Sequence, residues 1–251
     1  RVASSILSLL GVEKDPDMGR EIESITEKRR CHRVIMYNPD AVAQWIYEGH
    51  RDLFSPILER IDLNIEMLSM VPPVTPVCFA SMYSGLLPEK HGIREYIKPV
   101  LKCRTVFDVL SENGKKCAIV STEGDSISKI FLERNIDYFI YKTKKECNDK
   151  ALSLIDEDKY DLMVLYNGDY DHYMHRFSPA GKRSLKALKE NIETYSMLLD
   201  RVEEKWKGHS TAIAFAPDHG CHKWLGILGN HGERIPKDMN IRHFWTFIDK
   251  K

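Results

Sequence analysis

The stretch Phe215-Ala-Pro-Asp218-His219-Gly220, with Gly229-Asn-His231-Gly232 close behind it, decides the reading of this chain. A short apolar run, Thr211-Ala-Ile-Ala-Phe215, feeds into an adjacent carboxylate and imidazole. Both are good ligands for zinc or manganese. Neighbouring side chains of a strand diverge, so Asp218 and His219 can share an ion only where the chain turns sharply. Gly220 permits that turn, and an Asx-type turn with an incidental histidine is the plainer alternative. His231, set between glycines, has tight backbone and freedom to reach inward. A second group, Asp171-His-Tyr-Met-His175, has the same chemistry. In a helical turn Asp171 and His175 lie on one face and can chelate, although solvated surface residues would look the same. His172 points elsewhere in that geometry, and His222 and His243 read as structural.

Working outward, strand-like apolar runs alternate with helical patterns. Arg33-Val-Ile-Met-Tyr37, Cys117-Ala-Ile-Val-Ser121, Asp137-Tyr-Phe-Ile-Tyr141, Asp161-Leu-Met-Val-Leu-Tyr166, Thr211–Phe215 and His243-Phe-Trp-Thr-Phe-Ile248 read as strands. Helices are expected over Phe54–Met70, from Thr105 to the Asn113-Gly114 stop, over Asn148–Asp156 and over Ser184–Lys205. This alternation predicts an α/β three-layer α/β/α sandwich around a mainly parallel sheet. We read residues 1–251 as a single domain, with 1–30 as a helical N-terminal extension. In such sheets ligands bind beyond the carboxyl ends of the strands. Asp40, Asp171 and Asp218-His219 each follow a predicted strand, so they can converge on one crevice.

The chain has 251 residues, 43% of them hydrophobic, which is ample for a core. Its 37 basic and 37 acidic residues balance. That argues against capture of nucleic-acid polymers or an anionic membrane and leaves a small-molecule substrate as the expected partner. Six scattered cysteines without a CxxC pair predict free thiols and a reducing, cytoplasmic setting. No apolar run is long enough to span a bilayer. The start reads too short and mixed for a signal peptide, and without an initiator Met there is room for a removed leader.

Two further residues carry double readings. Asp40, after the first strand, is either a metal ligand or the cap of a helix beginning at Ala41. Thr75 precedes a helix expected near Pro76. Its hydroxyl is either a plain N-cap or a nucleophile at the positive end of a helix, where a phosphate would also be favoured. Cys78, on the apolar face of that helix, reads as packed.

Taken in order, these elements resemble the alkaline phosphatase superfamily, nearest to its type I phosphodiesterase/nucleotide pyrophosphatase branch. The likeness runs from about residue 33 to 232 and rests on Asp40, Thr75, the Ser84-Gly-Leu-Leu-Pro-Glu-Lys-His-Gly-Ile93 run, Asp171-x-x-x-His175, Asp218-His219-Gly220 and His231-Gly232. It implies two divalent ions, zinc with manganese as the alternative. Asp171, His175 and His231 would hold one; Asp40, Asp218, His219 and the Thr75 oxygen would hold the other. It also implies in-line attack by Thr75 on phosphorus and a covalent phosphothreonine.

The chain departs from that branch in four places. Pro76 stands where an aromatic usually follows the nucleophile, Cys78 stands where an Asn is usual, and Ala41 replaces a common Gly. Only eleven residues separate His219 from His231, so the large specificity insertion is missing. Phosphomonoesterase, phosphonate hydrolase and phosphomutase-like readings stay open within the superfamily. So does a non-catalytic metal-binding protein. The Cys78-Phe-Ala-Ser-Met segment does not fit a sulfatase.

Overall fold

In the computed structural model, which describes residues 1–250, a seven-stranded sheet runs through the centre of the chain. Its strands are β1 (Arg33–Pro39), β2 (Leu63–Leu68), β3 (Cys117–Thr122), β4 (Asp137–Tyr141), β5 (Leu162–Asn167), β6 (Thr211–Phe215) and β9 (Asn240–Ile248), while β7 (His222–Trp224) and β8 (Leu228–Asn230) form a separate hairpin. The order across the large sheet is β2-β9-β6-β1-β5-β3-β4. β6, β1, β5, β3 and β4 pair in parallel, and β9 and β2 add antiparallel at one edge. The expected mainly parallel sheet is therefore present.

The central strands are apolar throughout because both faces are covered. Along β1, Val34 and Met36 join one core layer with the helices Val2–Leu9, Thr75–Ser84 and Val106–Glu112. Ile35 and Tyr37 join the other, with Lys144–Glu157 and Lys182–Lys205. Of residues 1–30, Val2–Leu9 and Glu23–Thr26 are helical, and Ile6, Leu7 and Leu9 are fully buried.

One element differs from the expectation. Phe54–Met70 is not one helix: it is a 3-10 turn (Arg51–Phe54), a short helix (Ser55–Leu58) and strand β2. Leu63, Ile65 and Met67 pack on the core while Asn64, Glu66 and Leu68 face outward. This is the period of two of an edge strand, and the preceding turn disguised it as helical spacing. Elsewhere the helix expected from Asn148 starts earlier, at Lys144, behind a Thr143–Glu146 capping box. The last strand starts at Asn240, three residues before the expected His243.

Candidate active site

The site follows from the strand order. β6, β1 and β5 are neighbours and run parallel, so their carboxyl ends lie side by side. Asp40 follows β1, Asp218 and His219 follow β6, and Asp171 and His175 ride on the helix Asp169–Phe177 just after β5. His231 comes in from the loop beyond β8.

All seven sequence-predicted residues meet there, six of them in two groups of three with Thr75 beside one. Asp40, Asp218 and His219 form a fully buried cluster whose ligand atoms all lie within 4.8 Å of one another. Asp171, His175 and His231 form a second, half-buried one by the same measure. The two abut, with the His219 and His231 ring centroids 4.1 Å apart.

Hydrogen bonding shows what these clusters can hold. His219 Nδ1 donates to Gly220 O at 2.9 Å, His175 Nδ1 to Gly229 O at 3.1 Å and His231 Nδ1 to Pro73 O at 3.2 Å. A carbonyl only accepts, so each ring carries its proton on Nδ1, and in the neutral ring Nε2 is a bare lone pair. Those Nε2 atoms face carboxylate oxygens. His219 Nε2 lies 3.3 Å from Asp40 Oδ1 and 3.4 Å from Asp218 Oδ2. His175 Nε2 and His231 Nε2 lie 3.3 and 3.4 Å from Asp171 Oδ1. The same three oxygens, Asp40 Oδ1, Asp218 Oδ2 and Asp171 Oδ1, are buried without a hydrogen-bond partner. Orphaned anionic oxygens facing nitrogen lone pairs fit divalent cations. Backbone carbonyls that orient the far side of each imidazole are the usual support for such ligands.

The electrostatics agree. Burial, with the Asp171 charge, pushes the Asp40 carboxyl up to about 7, and burial with the Asp40 charge pushes Asp218 well above the carboxylate range. Burial also pushes His219 down, to about 3. Asp171 is buried too, but His175 and His231 outweigh that and hold its carboxyl below the usual range. Three carboxylates this close are costly unless cations offset them.

Thr75 is the first residue of the helix Thr75–Ser84, and Val74 takes the N-cap position. Its hydroxyl makes no capping bond. Instead Oγ1 lies 3.3 Å from Asp40 Oδ2 and 3.3 Å from His219 Nε2. Asp40 does not cap either, since the next helix begins at Gln44 after Ala43. Of the double readings, the plain-cap alternative falls away for both residues.

The departures also acquire physical form. Ala41 has φ 62° and donates its N–H to Asp218 Oδ1 at 3.3 Å. A glycine there would escape the left-handed strain, about 1–2 kcal/mol for a residue with a Cβ. Gly220 has no positive φ, so it is not the turn residue that the sequence suggested. Close packing requires it, because a Cβ would sit 2.2 Å from Lys237 O. Gly220→Ala is therefore expected to destabilise the fold by roughly 1–3 kcal/mol, read as a lowered Tm. Cys78 is buried, its Sγ 3.1 Å from Ser69 Oγ, and burial raises its thiol pKa, so it stays neutral. His222 is tied to Asp238 at 2.8 Å, and His243 Nε2 donates to Pro217 O at 2.9 Å, both structural as expected.

Tyr166 is the residue the sequence did not reveal. At the end of β5 its hydroxyl donates to Asp40 Oδ2, the oxygen that also faces Thr75. That leaves Oδ1 free to ligate. Gly168 makes room, since a Cβ there would lie 2.9 Å from the Tyr166 hydroxyl. The only sequence signal was a polar tip on the last residue of an apolar strand. Tyr166→Phe is expected to weaken metal binding at the buried cluster by about 10-fold, measurable by competition with a chelator. Unchanged affinity would mean that Asp40 is oriented without it.

Asp40 of the buried cluster and Asp171 and His175 of the half-buried one help, with Tyr166, to line a cavity of about 500 Å³. Against solved structures, the chain superposes on murine ectonucleotide pyrophosphatase/phosphodiesterase 5 with a TM-score of 0.63 at 11% identity, over 76% of this chain and 58% of that one. The human counterpart gives 0.62 at 12%, over 76% and 57%. An inactive threonine-to-alanine variant of the murine protein, in complex with AMP, gives 0.62 at 11%, over 76% and 58%. The fold is that of the nucleotide pyrophosphatases/phosphodiesterases. No family model matches the sequence, and no curated protein matches it. The chain spans under three-fifths of the solved pyrophosphatase/phosphodiesterase chains it resembles. Among its described residues, no helix is long and apolar enough to cross a membrane.

Proposed function

We propose that the chain is a two-metal phosphoester hydrolase of the phosphodiesterase/nucleotide pyrophosphatase type that works through a covalent phosphothreonine on Thr75. The observation that carries this reading is the pair of abutting Asp/His clusters, with three orphaned carboxylate oxygens facing histidine Nε2 atoms and the Thr75 hydroxyl set against the buried one. Asp171, His175 and His231 would hold one ion; Asp40, Asp218, His219 and Thr75 Oγ1 would hold the other. The set with two histidines favours zinc, while the set with two aspartates also suits manganese. When bound, such ions supply Lewis-acid charge for phosphoryl oxygens and lower the pKa of hydroxyls.

The protein's own residues do the rest. Thr75, Asp40, Asp218 and His219 are all buried, which shields them from bulk solvent. Asp40 Oδ2 and His219 Nε2 aim the Thr75 oxygen, and the first turn of its helix offers partial positive charge to the phosphoryl group. Thr75 attacks phosphorus in line and expels the leaving oxygen on the far side. Water entering from the cavity then cleaves the Thr75–phosphate ester. The AMP complex of a structural neighbour supports a small phosphoester substrate here, and six free cysteines support a reducing compartment.

The test is hydrolysis of bis(p-nitrophenyl) phosphate against p-nitrophenyl phosphate by zinc- and manganese-loaded protein. Preference for the diester is expected. Preference for the monoester would move the chain to the phosphomonoesterases, and hydrolysis of neither would contradict the enzyme reading.

A further inference from the structure

The cavity beside the half-buried cluster has walls that the chemistry at Thr75 does not use. Three cations line it, Lys98, Lys144 and Arg176. Lys144 is already neutralised, 2.8 Å from Asp169 and 2.8 Å from Glu190. The other two are uncommitted. Lys98 donates only to Gly124 O, at 2.9 Å, and Arg176 has no ion pair or hydrogen bond among the described residues. Four carboxylates share these walls: Asp169 holds Lys144, Asp40 and Asp171 belong to the two clusters, and Asp125 takes the Thr122 hydroxyl and forms no ion pair with either free cation.

Aromatic side chains on the same walls are engaged internally. Tyr96 carries the Lys98 ammonium 5.2 Å from its ring centroid, and Tyr173 stacks on Phe177 at 6.1 Å with His172 edge-on at 5.5 Å. Beside these partly exposed rings, Lys98 and Arg176 offer uncommitted positive charge to a ligand reaching outward from the reacting phosphoryl group.

We infer that Lys98 and Arg176 form a subsite for a second anionic group, a phosphate or carboxylate, carried by the substrate beyond the phosphoryl group that reacts at Thr75. The assignment rests on the hydrolase reading for the position of that phosphoryl group. It selects doubly anionic substrates over diesters with uncharged leaving groups, and it makes a nucleobase dispensable. Two cations beside an anion in a partly enclosed site act by direct Coulomb attraction, stronger there than in bulk water.

Calorimetric binding to the zinc-loaded full chain tests this without turnover. Phosphonoacetate and methylphosphonate differ by one carboxylate, and AMP and ribose 5-phosphate differ by one base. Phosphonoacetate is expected to bind about tenfold tighter than methylphosphonate. In a Lys98→Ala/Arg176→Ala double variant the two should agree within about twofold, with methylphosphonate affinity unchanged. AMP should gain less over ribose 5-phosphate than the carboxylate gains. Equal binding of the two phosphonates by the parent protein, discrimination that survives in the double variant, or a larger gain from adenine would each overturn the subsite. Should the protein discriminate as expected yet hydrolyse no phosphoester, the subsite stands and the hydrolase reading falls.

Discussion

Replacing Thr75 by alanine is expected to lower turnover by roughly 10⁴-fold or more while metal content and fold survive. The asymmetry follows from where the side chain sits. Thr75 is only 3% exposed, and its hydroxyl contributes no helix cap and no short hydrogen bond, only two 3.3 Å contacts with Asp40 and His219. Its loss removes a methyl and a weakly bonded hydroxyl, about 1 kcal/mol of stability. If that oxygen forms the bond to phosphorus, no neighbour can replace it: Cys78 is buried against Ser69 and held neutral. Steady-state kinetics on the preferred diester, alongside zinc content and Tm, check the split. Thr75→Ser, which keeps a hydroxyl, should retain part of the activity. Parent-like turnover in the alanine variant would rule out Thr75 as nucleophile.

Asp218→Asn should separate metal binding from folding in the opposite sense. Asp218 Oδ1 accepts the Ala41 N–H, and an asparagine oxygen can do the same. The orphaned Oδ2, 3.4 Å from His219 Nε2, would become an amide donor aimed at a lone pair. In metal-free protein the substitution removes a buried carboxyl whose ionisation is opposed by burial and by Asp40. The apo variant is therefore expected to melt no lower than the parent. With zinc present the order reverses, because the parent gains stability from an ion that the variant binds poorly. Affinity at that cluster and activity should both fall by at least about a hundredfold. Paired melting curves with and without chelator read this directly; a variant destabilised equally in both conditions would show Asp218 to be a structural residue.

The parts of the fold legible in the sequence are those in which one physical signal dominates. β1, β3, β5 and β6 are unbroken apolar runs because helices cover both faces of the sheet, and burial leaves no other composition. The helix at Val106 announced itself through the Asn113-Gly114 stop, and the structure adds a Thr105–Asp108 capping box at its start. β2 was hidden because an edge strand has one wet face, and its alternation merged with the apolar residues of the turn before it. Gly220 was rightly singled out for the wrong reason: a backbone contact seventeen residues away, at Lys237, leaves no local trace. Tyr166 escaped for a related cause. Its polar tip matters only because β1 lies beside β5, and that adjacency belongs to the sheet order.

For the candidate site, residue types and chain order named seven residues that the fold brings together, and the division into two clusters came with the resemblance. What required coordinates was protonation. Only the three Nδ1-to-carbonyl bonds reveal that His175, His219 and His231 all turn Nε2, a lone pair in the neutral ring, to the carboxylates.

The most direct test of the two-metal account is an anomalous difference map at the zinc edge from crystals of zinc-loaded protein. It should contain two peaks, one among Asp171, His175 and His231 and one among Asp40, Asp218, His219 and Thr75. A map with no peak at either cluster, or with zinc bound only elsewhere on the molecule, would contradict it.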